Sequence, residues 1–311
     1  MLHDQTITII IPAYREADFI GRVIAEIPAF ADHIVLVDDC SDDATVEVAR
    51  RAGDSRLEVC STSVNSGVGA AMRVGYRRAL EIGGDIFVKV DGDGQMPLEY
   101  LPKLVEPLLD GSVGYTKGNR FLAPGVAGRM PAVRLLGNTA LTFLNKLATG
   151  YWHIFDPQNG YTAIRGDALG QIDLDELANG YFFENDMLFQ LNLAGVRVRD
   201  VAIPARYGDE RSDMSLTRVL LTFPPQLLRR FASRIMKKYV LYNFSPVALF
   251  LLFGLGLFGW GFGFGIWLWV ETAMTGRATP TGTIMLALLP LILGFQLLLQ
   301  AVVLDIQESP R

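Results

Sequence analysis

Asp85-Ile86-Phe87-Val88-Lys89-Val90-Asp91-Gly92-Asp93-Gly94-Gln95 changes character halfway along. Ile86 to Val90 reads as a short buried strand, and it ends abruptly in acids, glycines and a glutamine. Two carboxylates one residue apart at a strand end cannot both be buried uncompensated, because desolvating each costs several kcal/mol. Water or a cation must meet them. Mg²⁺ or Mn²⁺ suits the pattern: both are hard ions that take oxygen ligands and leave positions open for phosphate. Gly92 and Gly94 let the backbone approach a ligand closely. An exposed acidic turn is the plain alternative, and the surrounding sequence decides against it.

Working outward, the same pattern of strand followed by polar cluster recurs. Thr6 to Ile11 reads as a strand leading into Pro12-Ala13-Tyr14-Arg15-Glu16 and an amphipathic helix carrying Ile20, Val23, Ile24 and Ile27. Ile34 to Val37 ends in Asp38-Asp39-Cys40-Ser41, where Ser41 or Asp42 caps a helix through Arg50. Leu57 to Val59 precedes Asn65-Ser66-Gly67-Val68-Gly69 and a helix to about Ile82. Strands alternating with helices imply parallel pairing, with ligands gathered at the carboxyl ends of the strands. Tyr14 and Glu16, Asp38 and Asp39, Asn65 and Gly67, and Asp91 and Asp93 all fall at that edge. A dinucleotide fingerprint fails here: Met72 stands where the third glycine belongs, and the loop follows the third strand instead of the first. Gly67 and Gly69 then serve either a ligand or close helix–sheet packing.

Composition limits the remaining possibilities. The chain has 311 residues, 50% of them hydrophobic, and a formal net charge of −5, which argues against a nucleic-acid partner. Cys40 and Cys60 lack metal-ligand spacing and read as free thiols. The N-terminus carries no basic, apolar secretory segment, so the folded part is expected in the cytoplasm. No charge occurs from Tyr239 to Val270 or from Ala278 to Leu304, and each run exceeds the ~20 residues that span a bilayer core. Tyr239, Tyr242, Trp267 and Trp269 sit near the ends of the first run, where aromatics favour interfaces. Arg229, Arg230, Arg234, Lys237 and Lys238 precede it, which places the large domain and both termini on the cytoplasmic side by the positive-inside bias. Leu216 to Lys238 reads as amphipathic helices on membrane lipid, broken at Pro224-Pro225. Gly259/Gly263 and Gly261/Gly265 form small-residue pairs suited to helix packing, within the hairpin or between copies in a homo-oligomer.

Ile11-Pro12-Ala13-Tyr14-x-Glu16, Val37-Asp38-Asp39-x-Ser41-x-Asp43, Asn65-x-Gly67-x-Gly69 and Asp91-Gly-Asp93-Gly-Gln95 together resemble the ordered motifs of the family 2 inverting glycosyltransferases. The polyprenyl-phosphate (dolichyl-phosphate) mannose and glucose synthases are the most similar members. The resemblance continues through Gly118-Asn119-Arg120, Asp156 to Tyr161, Glu184-Asn185-Asp186 and Tyr207 to Ser212, covering about residues 5–215. It implies an α/β GT-A fold with a Rossmann-like mixed sheet, a nucleotide-sugar donor (UDP- or GDP-linked), a divalent cation, and a polyprenyl phosphate acceptor. The implied layout is a catalytic domain over 1–215, amphipathic helices over 216–240, and transmembrane helices over 241–270 and 283–305. A short loop over 271–282 and a cytoplasmic tail over 306–311 complete it.

By the same resemblance, Pro12, Tyr14, Glu16, Asp39, Asn65, Gly67 and Asp91 hold the nucleotide sugar, with Asp38 either assisting or only shaping its turn. Asp91, Asp93 and Gln95 hold the metal. Arg120, Arg134 and Asn138 meet the acceptor phosphate, a role that suits the planar guanidinium fork. Asp186 takes the catalytic-acid position, with Glu184 as alternate. Arg211 reaches the diphosphate with Ser212 in support, and Arg206 competes for that role. The rival readings are elongation of a polysaccharide or glycolipid, which usually brings a Gln-x-x-Arg-Trp motif not found here, and a non-catalytic subunit, which would be expected to lose the acids.

Overall fold

The computed structural model describes residues 4–122, 132–204 and 216–310, with the backbone alone at 132–138 and 216–220. Two compact units divide it: Met1–Arg230 with Pro310–Arg311, and Phe231–Ser309.

The first unit is a seven-stranded sheet in the order β3-β2-β1-β4-β6-β5-β7. Its strands are β1 (Ile7–Ala13), β2 (His33–Asp38), β3 (Leu57–Ser61), β4 (Ile86–Lys89), β5 (Tyr115–Asn119), β6 (Thr162–Arg165) and β7 (Val198–Ala202). Strands β1 to β4 pair in parallel, joined by α1 (Ile20–Glu26), α2 (Thr45–Arg51) and α3 (Val68–Glu81). Strand β6 then runs antiparallel to both β4 and β5, making the sheet mixed.

Every residue of β1 is buried. Ile7, Ile9 and Ile11 pack with Ile20, Val23 and Ile24 of α1, while Ile10 packs on the other face with Met72 and Tyr76 of α3. A strand covered on both faces is apolar along most of its length, and Thr8, the one polar residue of β1, is buried with the rest. Close helix–sheet packing falls to Gly75 of α3, where an added Cβ would lie 2.3 Å from Ile10 Cγ2. The remaining helices of the unit are α4 (Leu101–Leu109), α5 (Ala132–Thr149), α6 (Gly166–Leu169), α7 (Phe183–Leu193) and the start of α8 (Leu216–Arg234).

The sequence suggests a break at Pro224-Pro225, yet α8 runs through both prolines. Two prolines remove two backbone donors and crowd the preceding turn, but packing holds that turn. Phe223 meets Phe182 edge-on at 5.3 Å, and Leu227 is fully buried.

In the second unit, α9 (Pro246–Thr275) and α10 (Thr281–Gln307) follow a π-helical segment, Ile235–Tyr242. Both long helices are long and apolar enough to cross a membrane. They touch through glycine backbone. A Cβ on Gly261 would lie 2.5 Å from Leu291 N, and one on Gly294 would lie 2.3 Å from Phe258 N. The sequence pairs Gly261 with Gly265 and Gly259 with Gly263. Gly261 and Gly265 face α10, whereas Gly259 and Gly263 have no neighbour within 4 Å. Inside this unit Arg234 makes a bidentate ion pair with Asp305 at 2.5 and 2.9 Å, and Tyr239 Oη donates to Asp305 at 2.5 Å.

Candidate active site

The parallel strands deliver their polar ends to one cavity of about 660 Å³. Pro12 and Ala13 end β1, with Tyr14 and Glu16 just beyond; Asp39 follows β2, Asn65 and Gly67 follow β3, and Asp91, Asp93 and Gln95 follow β4. All of them line the cavity. Arg120, the segment Gln158–Tyr161, Gly180, Tyr181 and Glu184 close the other side. Each residue read from the sequence as binding the nucleotide sugar or a metal therefore borders this one space.

Asp39 is almost wholly buried and does structural work there. Its carboxylate accepts from Gly67 N at 2.6 Å, Ser66 N at 3.0 Å and Thr62 Oγ1 at 2.9 Å. It thus fixes the glycine loop against the end of β2. Asp38 accepts from Ser41 N at 3.2 Å and does not line the cavity, which makes it a turn residue. Tyr14 leaves 39% of its surface exposed, so a ring face is open to a base. Arg15 beside it adopts φ +59° and forks onto Asp42, both bonds 2.6 Å.

The glycines of the third loop serve neither a dinucleotide nor the sheet. Gly67 has φ +94°, and a Cβ on Gly69 would lie 2.0 Å from the Ala178 carbonyl oxygen. They let the Ala178–Gly180 loop close onto the N-terminus of α3, where Ala70 N donates to Asn179 O at 3.1 Å.

Lys89, a residue the motif reading passed over, lies at the floor. It is buried, and its Nζ donates to Asp91 Oδ1 at 2.7 Å and to Glu184 Oε1 at 3.3 Å. Burial opposes its charge, but Asp91 and Glu184 outweigh it and hold the ammonium above its ordinary pKa. The signal was available in the sequence: a lysine inside a buried β-branched run requires a counter-charge. Lys117 of β5 is a second such lysine. It donates to the Asn159 carbonyl oxygen, and burial lowers its pKa to about 8.

The two acids that open α7 part company. Residues two apart on a helix are about 200° apart around its axis, so both cannot face one cavity. Glu184 lines it. Asp186, first choice for the catalytic acid, lies outside the lining and is fully buried, held by Arg230 at 2.7 and 2.8 Å and by Ala178 N at 2.9 Å. Burial raises its pKa despite the guanidinium.

Arg120 lines the cavity while its fork rests on Asp156 at 2.8 and 3.0 Å. The backbone of Arg134 and Asn138 lies in α5, but their side chains fall outside the described residues, as do Arg206, Arg211 and Ser212.

Asp91, Asp93 and Gln95 offer oxygen donors of the kind a hard divalent ion takes. Asp93 Oδ1 accepts from Gln95 N at 2.9 Å, which folds the turn around Gly94. Among the described residues, no three His, Cys, Asp or Glu side chains converge on one point. Two carboxylates and an amide suit an ion completed by water and phosphate oxygens, the usual arrangement for Mg²⁺.

Residues 8–173 match the family described as Glycosyl transferase family 2. The chain belongs to family 2 of the glycosyltransferases. An undecaprenyl-phosphate mannosyltransferase of Micrococcus luteus is 32% identical over 201 residues, covering 62% of this chain and 81% of that one. A UDP-N-acetylglucosamine–dolichyl-phosphate N-acetylglucosaminyltransferase of Methanococcus voltae is 28% identical over 221 residues, covering 66% and 88%. The chain is thus a glycosyltransferase homologous to polyprenyl-phosphate sugar transferases. Among solved structures, glucosyl-3-phosphoglycerate synthase of Mycobacterium tuberculosis, in complex with Mn²⁺, UDP-glucose and glycerol 3-phosphate, aligns with TM-score 0.54 at 23% identity. That alignment covers 74% of this chain and 80% of that one. The likeness establishes the GT-A fold.

Proposed function

We propose that this family 2 transferase moves one hexose from a UDP- or GDP-linked donor to a polyprenyl phosphate at the cytoplasmic face of a membrane. The observation that carries the reading is the convergence of the ends of β1, β2, β3 and β4 on one cavity, in a chain that also holds two helices apolar enough to span a bilayer. Relatives named for undecaprenyl phosphate and dolichyl phosphate support the acceptor class.

In this reading the Tyr14 ring stacks on the base, while Glu16 and Asp39 accept its hydrogens or those of the ribose. Asn65 and Gly67 border the same pocket. Asp91, Asp93 and Gln95 hold Mg²⁺ or Mn²⁺, which when bound neutralises charge on the departing diphosphate. Arg211, with Arg206 as its competitor, meets the diphosphate. Arg120, Arg134 and Asn138 orient the lipid phosphate. One phosphate oxygen attacks the anomeric carbon, the bond from that carbon to the diphosphate oxygen breaks, and the electron pair leaves with the nucleoside diphosphate. The anomeric configuration inverts. A phosphate nucleophile is already anionic, so Glu184 positions the acceptor more than it removes a proton. Asp186 supports that helix through Arg230.

The test incubates purified full-length protein with polyprenyl phosphate, Mg²⁺ or Mn²⁺, and a panel of labelled UDP- and GDP-sugars. Label partitioning into the organic phase with one donor is the expected result. No transfer from any donor, with nucleotide binding intact, would point to a non-catalytic subunit.

A further inference from the structure

Lys89 links the two ends of the cavity floor. Its ammonium reaches Asp91, at the proposed metal end, and Glu184, at the proposed acceptor end. Space for this contact comes from Gly160, where a Cβ would lie 2.4 Å from Lys89 Nζ and 3.0 Å from Asp91 Oδ2. The backbone of the Asp156–Tyr161 segment therefore packs directly over the ion pair. Lys89 itself is almost wholly buried, so its charge acts at short range, screened less toward the buried Glu184 than toward Asp91, which keeps about a third of its side chain exposed.

Resting on the transferase reading above, we infer that Lys89 is a positioning residue: an internal counter-cation that holds Asp91 and Glu184 in place and competes with the divalent ion for Asp91. Before a donor arrives, the ammonium keeps the buried Glu184 carboxylate and the partly exposed Asp91 carboxylate from repelling each other. A divalent ion that takes Asp91 must displace this contact, after which Glu184 remains as the ammonium's partner. The site is thereby biased to bind metal weakly by itself and better when donor diphosphate accompanies it. Its requirement for metal and its alignment of the acceptor-side acid are set by one side chain.

The consequence has an unusual sign. Removing the ammonium frees a carboxylate and deletes a positive charge beside the metal position, so Lys89→Met should bind metal more tightly while transferring sugar more slowly. Mn²⁺ binding to the full-length protein in detergent, without donor, is read from the electron paramagnetic resonance signal of free Mn²⁺. Lys89→Met is expected to tighten binding about tenfold or more, the direction that removing one close positive charge dictates. Lys89→Arg keeps the charge and should stay within about threefold of wild type. Glu184→Gln commits Lys89 to Asp91 and should weaken binding about threefold, which keeps the test decisive if Lys89→Met does not fold. Unchanged or weaker Mn²⁺ binding in Lys89→Met, or tighter binding in Glu184→Gln, overturns the inference while leaving the transferase reading intact. Failure of the wild-type protein to bind Mn²⁺ and to transfer sugar overturns the parent reading itself.

Discussion

Gly69→Ala sets two known effects against each other, and the structure decides between them. Alanine is the better helix former by up to ~1 kcal/mol, less at this second position of α3. Against that gain, the new Cβ would stand 2.0 Å from the Ala178 carbonyl oxygen, 2.9 Å from Phe183 Cβ and 3.0 Å from the Asn179 carbonyl oxygen. Two of these neighbours are backbone, so no rotamer change relieves the overlap, and the 177–180 loop must move. Overpacking costs about 1–3 kcal/mol, and moving the loop also strains the Ala70 N to Asn179 O bond, worth about 1 kcal/mol. The net expectation is a loss of about 2 kcal/mol, or about 4–8 °C in melting temperature for a unit of this size. Thermal unfolding of the full chain in detergent, with Gly180→Ala as control, measures it. A Cβ on Gly180 meets nothing within 4 Å, so the control should melt within about 2 °C of wild type. Because Gly180 and Tyr181 line the cavity, the Gly69 variant should also show a higher donor KM. A Gly69→Ala protein as stable as wild type would refute the close approach of loop and helix, and with it the account of both glycines.

Asp93→Ala should abolish transfer while leaving the melting temperature unchanged, because Asp93 stands at the cavity and not in the core; near-normal turnover would remove it from the metal site. Lys117→Met tests burial against charge. The folded lysine loses its proton near pH 8, the unfolded one near its ordinary 10.5, so the unfolded chain binds more protons between those values and wild-type stability climbs with pH across that window. The gap corresponds to about 3 kcal/mol, less about 1 kcal/mol for the bond to Asn159 O, so the methionine variant should be more stable at pH 7 and lose its advantage by pH 10. Arg234→Met removes the guanidinium facing the buried Asp305 carboxylate, which keeps the Tyr239 hydroxyl, and should cost about 3–5 kcal/mol, whereas combining Arg234→Met with Asp305→Leu and Tyr239→Phe should recover most of it. Unfolding of the two proteins in detergent compares them directly.

The cavity was legible because its chemistry sits in unbroken local motifs at strand ends, where strand topology alone brings Tyr14, Asp39, Asn65 and Asp91 together. What the sequence could not supply was direction. Glu184 and Asp186 are two acids two residues apart, which the motif ranks in the order Asp186 then Glu184, and only the pose of α7 turns Glu184 toward the cavity and Asp186 onto Arg230. Arg230 itself looked like one more juxtamembrane cation. Lys89 was hidden by its strand, since the acids after it drew the reading. Gly67 and Gly69 were recognisable as a place of close approach, but the segment approaching them comes from more than a hundred residues away. The reversal of β6 likewise depends on which strand it joins, a long-range choice that no local pattern encodes.

Gly261 and Gly294 leave the paired apolar helices in contact through their main chains. Hydrocarbon tails are as oily as leucine, so a bilayer gives such a pair no solvent-driven reason to associate, and backbone proximity must supply the cohesion. The anchor would then behave as a zipped wedge that enters or leaves lipid as one piece. A single methyl group at either glycine would force the two main chains apart while making the segment slightly more apolar, so hydropathy would not reveal the loss.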